Sequence, residues 1–271
     1  VSRGCQLGQT DGFGKTEVMW ALEGNQCIDV ITWLVQNGCK LGQKDDRQKT
    51  EVMIGLEYKH NIDVMKLLIE NGCELGHKDK DQYKSRGQID GKTEMMYALE
   101  HNHDINMINL LIQNGSKLCE TDSEGRTEIM YTLQYKHGID VMRVLMQNGC
   151  KLDKRDSAGR SEVMYGLQYG HDLHVIELLV ENGCKLGHTD GEGSNEIMYG
   201  LMYKCDFIVL DLLIQRSREI DPIIILEHAV KDKRDIFLPL VTSAKLQERT
   251  GQVVRDVYCG SRVVWARDAG V

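Results

Sequence analysis

Lys15-Thr16-Glu17-Val18-Met19 returns along the chain as Lys49-Thr50-Glu51-Val52-Met53, Lys92-Thr93-Glu94-Met95-Met96 and Arg126-Thr127-Glu128-Ile129-Met130. Two looser copies follow, Arg160-Ser161-Glu162-Val163-Met164 and Ser194-Asn195-Glu196-Ile197-Met198. Successive glutamates stand 34, 43, 34, 34 and 34 residues apart, and the Asn-Gly pairs beginning at 37, 71, 114, 148 and 182 keep the same steps. One interval is thus nine residues longer, the surplus falling around Lys80 to Gln88. A fixed period of this size is the mark of a repeat architecture.

Each copy reads as two short helices and a turn. Thr50 stands where an N-cap belongs, its hydroxyl free to accept from an unpaired N–H of the first turn, and Glu51 puts a carboxylate at the positive end of the helix dipole. Val52, Met53 and Leu56 have the spacing of a buried stripe. The first helix is expected to stop near Tyr58-Lys59-His60-Asn61. The second is expected from about Ile62 to Glu70, with Val64, Leu67 and Leu68 inward, and Gly72 suits the left-handed position that closes it. Helices this short are not stable alone. They must bury their apolar faces on neighbouring copies, which predicts an elongated stack with nearest-neighbour energetics.

Composition narrows the function classes. The 271 residues carry 33 Lys plus Arg against 41 Asp plus Glu, a net charge of −8, which argues against gripping nucleic-acid phosphates or anionic lipid. No apolar run approaches the ~18 residues of a membrane span, and no N-terminal signal segment is readable. Arg3–Gly8 aligns with Asn37–Gly42, so residues 1–10 read as the tail of a truncated preceding copy, with more copies expected upstream. Residues 11–217 hold six copies, 218–248 a degenerate helical cap opened by Asp221-Pro222, and 249–271 a tail of unread structure.

The period, the helix pair, the Thr at the cap and the closing Asn-Gly-small tripeptide resemble ankyrin repeats, and Leu67-Leu68, Leu110-Leu111, Leu178-Leu179 and Leu212-Leu213 match the Leu pair near the end of that family's second helix. The resemblance covers about residues 1 to 217. It departs from the family consistently: Glu replaces the usual Pro, Met the usual His, and Cys39, Cys73, Ser116, Cys150 or Cys184 the usual Ala after the Gly. It implies an all-α solenoid with short β-hairpin-like fingers, acting as a non-catalytic scaffold that binds a protein or peptide in a concave groove.

Several motifs dissolve into the repeat. Gly14-Lys15-Thr16 and Gly91-Lys92-Thr93 suggest a phosphate loop, but Gln9 and Arg86 stand where its first Gly belongs. The nine Cys include no Cys-x-x-Cys; Cys39, Cys73, Cys150 and Cys184 read as fillers of a small buried slot, and so many unpaired thiols favour a reducing compartment. His60, His101, His103, His137, His171 and His174 cluster at the inter-helix turn and are expected to bond locally. The Met column reads as helix core. No catalytic set, cofactor or metal site is expected.

Two columns are candidates for partner binding. Lys15, Lys49, Lys92, Arg126 and Arg160 precede the cap, where a cation opposes the helix dipole and local stability does not account for it. Tyr58, Tyr135, Tyr169 and Tyr203 end the first helix, with His101 at the same place and Lys59, Lys136 and Lys204 following three of them. By the resemblance both columns line one groove, a tyrosine ladder flanked by cations that suits an acidic partner. Tyr83, in the long finger, is a further candidate contact. The chain is read as cytoplasmic and monomeric by itself. The runner-up reading is a regulatory or targeting region of a larger protein with catalysis elsewhere; a third is a sensor of a small phosphorylated ligand.

Overall fold

Short first helices and slightly longer second helices alternate along the chain in a computed structural model that describes residues 7–80 and 90–217. The first helices are α1 (Glu17–Glu23), α3 (Glu51–Glu57), α5 (Glu94–Glu100), α7 (Glu128–Gln134), α9 (Glu162–Gln168) and α11 (Glu196–Met202). The second helices are α2 (Ile28–Gln36), α4 (Ile62–Glu70), α6 (Ile105–Gln113), α8 (Ile139–Gln147), α10 (Leu173–Glu181) and α12 (Phe207–Arg216). Each first helix is closed at its start by the expected cap: the Thr16, Thr50, Thr93 and Thr127 hydroxyls, Ser161 and the Asn195 amide oxygen accept from the N–H of the methionine three residues on. Gly72 ends α4 at φ +99°, a backbone state that a Cβ opposes.

The chain divides into two units, Val1–Lys151 and Leu152–Val271. In the first, α1, α3, α5 and α7 pack side by side in one row, and α2, α4, α6 and α8 form a second row against them. In the second, α9 packs on α11 and α10 on α12 in the same manner. This is the all-α, ankyrin-type helix-turn-helix stack. Between copies the chain forms fingers, four of them pinched by a single antiparallel bridge such as Lys44 with Thr50 or Thr121 with Thr127. Adjacent fingers are joined by backbone bonds: Asp46 N–H donates to Phe13 O, and Ser123 N–H to Asp90 O. The long finger's tip, with Tyr83, the cap at 218–248 and the tail at 249–271 lie outside the described residues, as do residues 1–6.

The core repeats with the sequence. Val18, Met19 and Leu22 and their counterparts are fully buried through the fifth copy, and Met198 in the sixth is only partly so. Cys39, Cys73, Cys150 and Cys184 fill the buried slot expected of them. The inter-helix histidines do more than the local bonding expected: Nε2–H of His60, His103 and His137 donates to the carbonyls of Leu22, Leu56 and Leu99, each in the preceding copy. They are cross-ties between copies. Burial holds the His103 and His137 pKa below the ordinary histidine value, so the neutral ring makes these bonds.

The first-turn glutamates are buried, which the dipole argument alone does not anticipate. Glu51, Glu94, Glu128 and Glu162 have no exposed surface. Their carboxylates accept from backbone N–H groups of the incoming finger: Gln43 to Glu51, Gly76 and His77 to Glu94, Glu120 to Glu128, and Lys154 to Glu162. Cys73 and Cys184 thiols approach Glu51 and Glu162 from the far end of the same copy, at 3.8 and 3.7 Å. One carboxylate thus gathers the finger, the start of the first helix and the end of the second.

Burial pushes Glu128 up to about 7. Its folded-state pKa lies above the unfolded 4.5, so this carboxyl's contribution to stability is intact below 4.5 and is lost as pH rises through 7. The loss is on the order of 3 kcal/mol. Glu128→Gln is expected to flatten that part of a urea-denaturation profile taken between pH 4.5 and 7.5. Met96→Ala, which empties a fully buried site in the first row, is expected to cost about 2–5 kcal/mol, read in the same denaturation experiment.

Candidate functional site

The finger base and the first helix meet around one aspartate per copy: Asp11, Asp45, Asp79, Asp122, Asp156 and Asp190. One Oδ1 of each of Asp45, Asp122 and Asp156 accepts two N–H groups, from residues two and four further on, closing the finger tip. In the third copy the inserted residues intervene, yet Asp79 Oδ1 still accepts from Lys92 N–H at 2.7 Å, so the insertion leaves the finger base unaltered. Oδ2 accepts from an aromatic side chain one helical turn inside the first helix. The donors are Tyr97, Tyr131, Tyr165 and Tyr199 hydroxyls at 2.7 to 2.9 Å, and Trp20 Nε1 in the first copy. Burial, with the neighbouring aspartate, pushes the Tyr97 and Tyr131 hydroxyls far up, so they remain protonated donors.

The cation column closes on this cluster. Lys49 Nζ pairs with Glu57 at 2.7 Å and Lys92 Nζ with Glu100 at 2.6 Å, one to the far end of α3 and the other to the far end of α5; Lys15 does the same with Glu23. Arg126 Nε meets Asp122 Oδ2 at 2.7 Å and its Nη2 donates to the Tyr131 hydroxyl, with both side chains of the ion pair almost wholly buried. Arg160 repeats that geometry with Asp156 and Tyr165. The cations also lie over ring faces: Lys49 and Lys92 over Tyr97 at 5.1 and 5.5 Å, Arg126 over Tyr131 at 4.7 Å, and Arg160 over Tyr165 at 4.8 Å. A local reason for these residues therefore exists, contrary to the dipole argument: each cation has a carboxylate within its own copy, Lys15, Lys92, Arg126 and Arg160 also have a π-face there, and Lys49 lies over the Tyr97 ring of the next copy.

The outer aromatic column rests on the inner one. Tyr135 stacks on Tyr131 with centroids 5.9 Å apart, and His101 on Tyr97 at 6.2 Å and 8° between planes. In the second unit Tyr169 and Tyr203 lean on Tyr165 and Tyr199 at 6.0 and 5.7 Å. Tyr58, with Ile54 beneath it in sequence, is 41% exposed and Tyr203 40%, while Tyr135 and Tyr169 are half-buried. The Tyr135 hydroxyl donates to Glu100 of the preceding copy at 3.1 Å. Lys59, Lys136 and Lys204 are exposed and sit at φ +57° to +59°, in the left-handed state that the inter-helix turn imposes. The expected site residues of the described copies thus share the first-helix face of their own unit.

Sequence reading missed the inner column of Tyr97, Tyr131, Tyr165 and Tyr199 and the aspartates they bind. Both recur at the repeat spacing, Tyr four residues before the outer ring and Asp four before the cation in the uninserted copies, so the signal was present. Among the described residues, no group of three or more His, Cys, Asp or Glu is placed to hold a metal ion, and no helix is long and apolar enough to cross a membrane.

A family model described as ankyrin repeats (3 copies) matches residues 57–156 and 95–190. Comparison with curated proteins gives no match. With six copies of the helix pair among the described residues, the chain belongs to the ankyrin-repeat family. Ankyrin repeats generally mediate protein–protein interaction.

Tyr131→Phe removes one donor to the buried Asp122 and the acceptor of Arg126 Nη2. It is expected to lower stability by about 1–3 kcal/mol, whereas Tyr165→Phe combined with Asp156→Asn should cost less than the two single changes added together. Chemical denaturation of the four proteins checks both statements.

Proposed function

We propose that the chain is a non-catalytic binding scaffold whose first-helix faces take up a protein or peptide. The observation that carries this reading is the outer aromatic column: Tyr135, Tyr169 and Tyr203 rest on inner rings, the Tyr135 hydroxyl is held by Glu100, and Tyr58 and Tyr203 are exposed. Tyrosine supplies large contact area with few rotors to freeze, which suits a preformed interface. Tyr58, His101 and Tyr135 present this surface in the first unit, and Tyr169 and Tyr203 in the second.

The ion pairs refine the partner's chemistry. Lys15, Lys49, Lys92, Arg126 and Arg160 already face carboxylates, which disfavours their serving as a phosphate receptor. Their role is to hold the rings. An acidic partner segment is instead met by the exposed turn cations Lys59, Lys136 and Lys204, which stand beside Tyr58, Tyr135 and Tyr203 and contribute register and encounter rate more than affinity. The seven cysteines of the described residues are all free thiols, which supports a cytoplasmic setting.

Crosslinking mass spectrometry in native extract identifies the partner, and binding is then compared for the wild type and a variant carrying Tyr58→Ser, Tyr135→Ser, Tyr169→Ser and Tyr203→Ser. The reading expects a fall in affinity of at least tenfold, with the helical circular-dichroism signal kept and crosslinks on the first-helix faces. Unchanged affinity, or crosslinks confined to the second helices, would contradict it.

A further inference from the structure

The loops that leave the second helices carry a charge opposite to that of the chain. In the first unit the segments 39–44, 73–78, 116–121 and 150–151 hold five lysines and two glutamates, a net of +3 in a chain of −8. Successive loops touch, so they form one continuous face. The Lys40 stem lies against Gly8, where a Cβ would stand 3.7 Å from its Cγ, and the Lys117 stem lies closer still against Gly76, at 3.0 Å. Lys44 Nζ reaches His77 Nδ1 at 3.0 Å, Lys78 Nζ donates to the Thr121 carbonyl at 2.7 Å, and the Cys119 thiol meets the Gly149 carbonyl at 3.0 Å. This face stands at the opposite ends of α4 and α8 from the turn cations Lys59 and Lys136.

The cations that precede the caps all face carboxylates, and on the loop face Lys78 does so with Glu120 at 2.9 Å. Lys40, Lys44, Lys117 and Lys151 are exposed and make no ion pair among the described residues. Lys44 and His77 hold the places that Lys78 and Glu120 hold one copy on, so here an imidazole replaces the carboxylate. Burial and the adjoining ammonium hold the His77 pKa below the ordinary histidine value, and the neutral ring gives Lys44 no countercharge. A cavity of about 300 Å³ lies between these two loops, lined by Lys44, His77, Gly42 and Gly72 with Glu51 and Glu74. Glu51 is already taken up by the Gln43 N–H and the Cys73 thiol. Glu74 breaks the lysine column at the loop 73–78, and Lys44, reaching across from the loop before, supplies the positive charge there.

We propose that this loop face binds an extended acidic segment of a partner protein, laid across the four loops so that its carboxylates meet Lys40, Lys44, Lys117 and Lys151 in turn. Helices packed side by side stand about 8–10 Å apart, and α2, α4, α6 and α8 form such a row, so the loops after them recur at that spacing. A polyproline II segment has three residues per turn and rises about 3.1 Å per residue, which returns every third side chain to the same side about 9 Å further on. Acidic residues at every third position therefore match one cation per loop. Exposed ion pairs contribute little singly and are screened by salt, so affinity rests on all four acting together and on a segment already extended before it binds. Duplex nucleic acid carries a charge about every 1.7 Å, far denser than one lysine per loop, and the excess would face a chain of net charge −8. The surface is separate from the first-helix faces and does not depend on what they bind.

The probe is a labelled, amidated peptide of four Glu-Pro-Pro triplets, titrated with the full chain at low salt and followed by fluorescence anisotropy. The proposal expects binding that weakens as salt is added, and a zero-length carbodiimide reagent should join the peptide's glutamates to Lys40, Lys44, Lys117 or Lys151. A variant carrying Lys40→Gln, Lys44→Gln, Lys117→Gln and Lys151→Gln should keep the helical circular-dichroism signal and lose affinity at least tenfold. Lys59→Gln with Lys136→Gln and Lys204→Gln should leave affinity unchanged. A peptide of the same composition with its four glutamates in one block should bind several-fold more weakly. Absence of binding, equal binding of the block peptide or of a Gln-Pro-Pro peptide, or a loss as large in the turn-cation variant overturns the proposal. So does tighter binding of a single-stranded oligothymidylate of the same charge, which would make the face a general polyanion surface.

Discussion

The structure depends on one constraint: a helix of seven residues and one of nine cannot bury their apolar sides on each other alone. Met53 and Met96 are fully buried in α3 and α5, each of which packs against the first helix of the copy before and of the copy after. The polar interactions described above are arranged so that this sealing is not undone. The first-turn glutamate satisfies the finger's N–H groups, the inter-helix histidines add a second donor to carbonyls of the preceding copy that already accept a turn N–H, and the aspartate closes the finger tip. Removing the glutamate or the aspartate leaves backbone N–H groups without their acceptor, and such groups are costly to leave unpaired when buried.

The same arrangement produces the candidate binding face. The aspartate aims the inner tyrosine, the cation clamps ring and carboxylate together, and the outer tyrosine rests on the result. Rings that would otherwise be free to rotate are held before any partner arrives. This lowers the ordering cost of association, and it links the stability of a copy to the shape it offers.

Much of this was legible in the residues. Thr50 as a cap, Gly72 as the helix end, Met53 as core and Cys73 as a small buried filler all follow from local rules that the structure obeys. Less was legible where a residue answers to a neighbour 5 to 47 positions away. Lys92 looks misplaced against a helix dipole until Glu100 and Tyr97 are seen beside it. His103 sits in an ordinary turn, and nothing local points to the carbonyl of Leu56. Glu94 reads as a surface charge by type, whereas the N–H groups of Gly76 and His77 bring it inside. Periodicity reports which residues share a column; only packing reports which columns touch.

Native-state hydrogen exchange across the first unit tests the central claim most directly. If neighbouring copies shelter one another, the amides of α3, α5 and α7 exchange at a common high free energy and open together, while those of the finger tips exchange faster. Helix pairs that open one at a time, each with its own low free energy and indifferent to Met96→Ala in the adjoining copy, would contradict it.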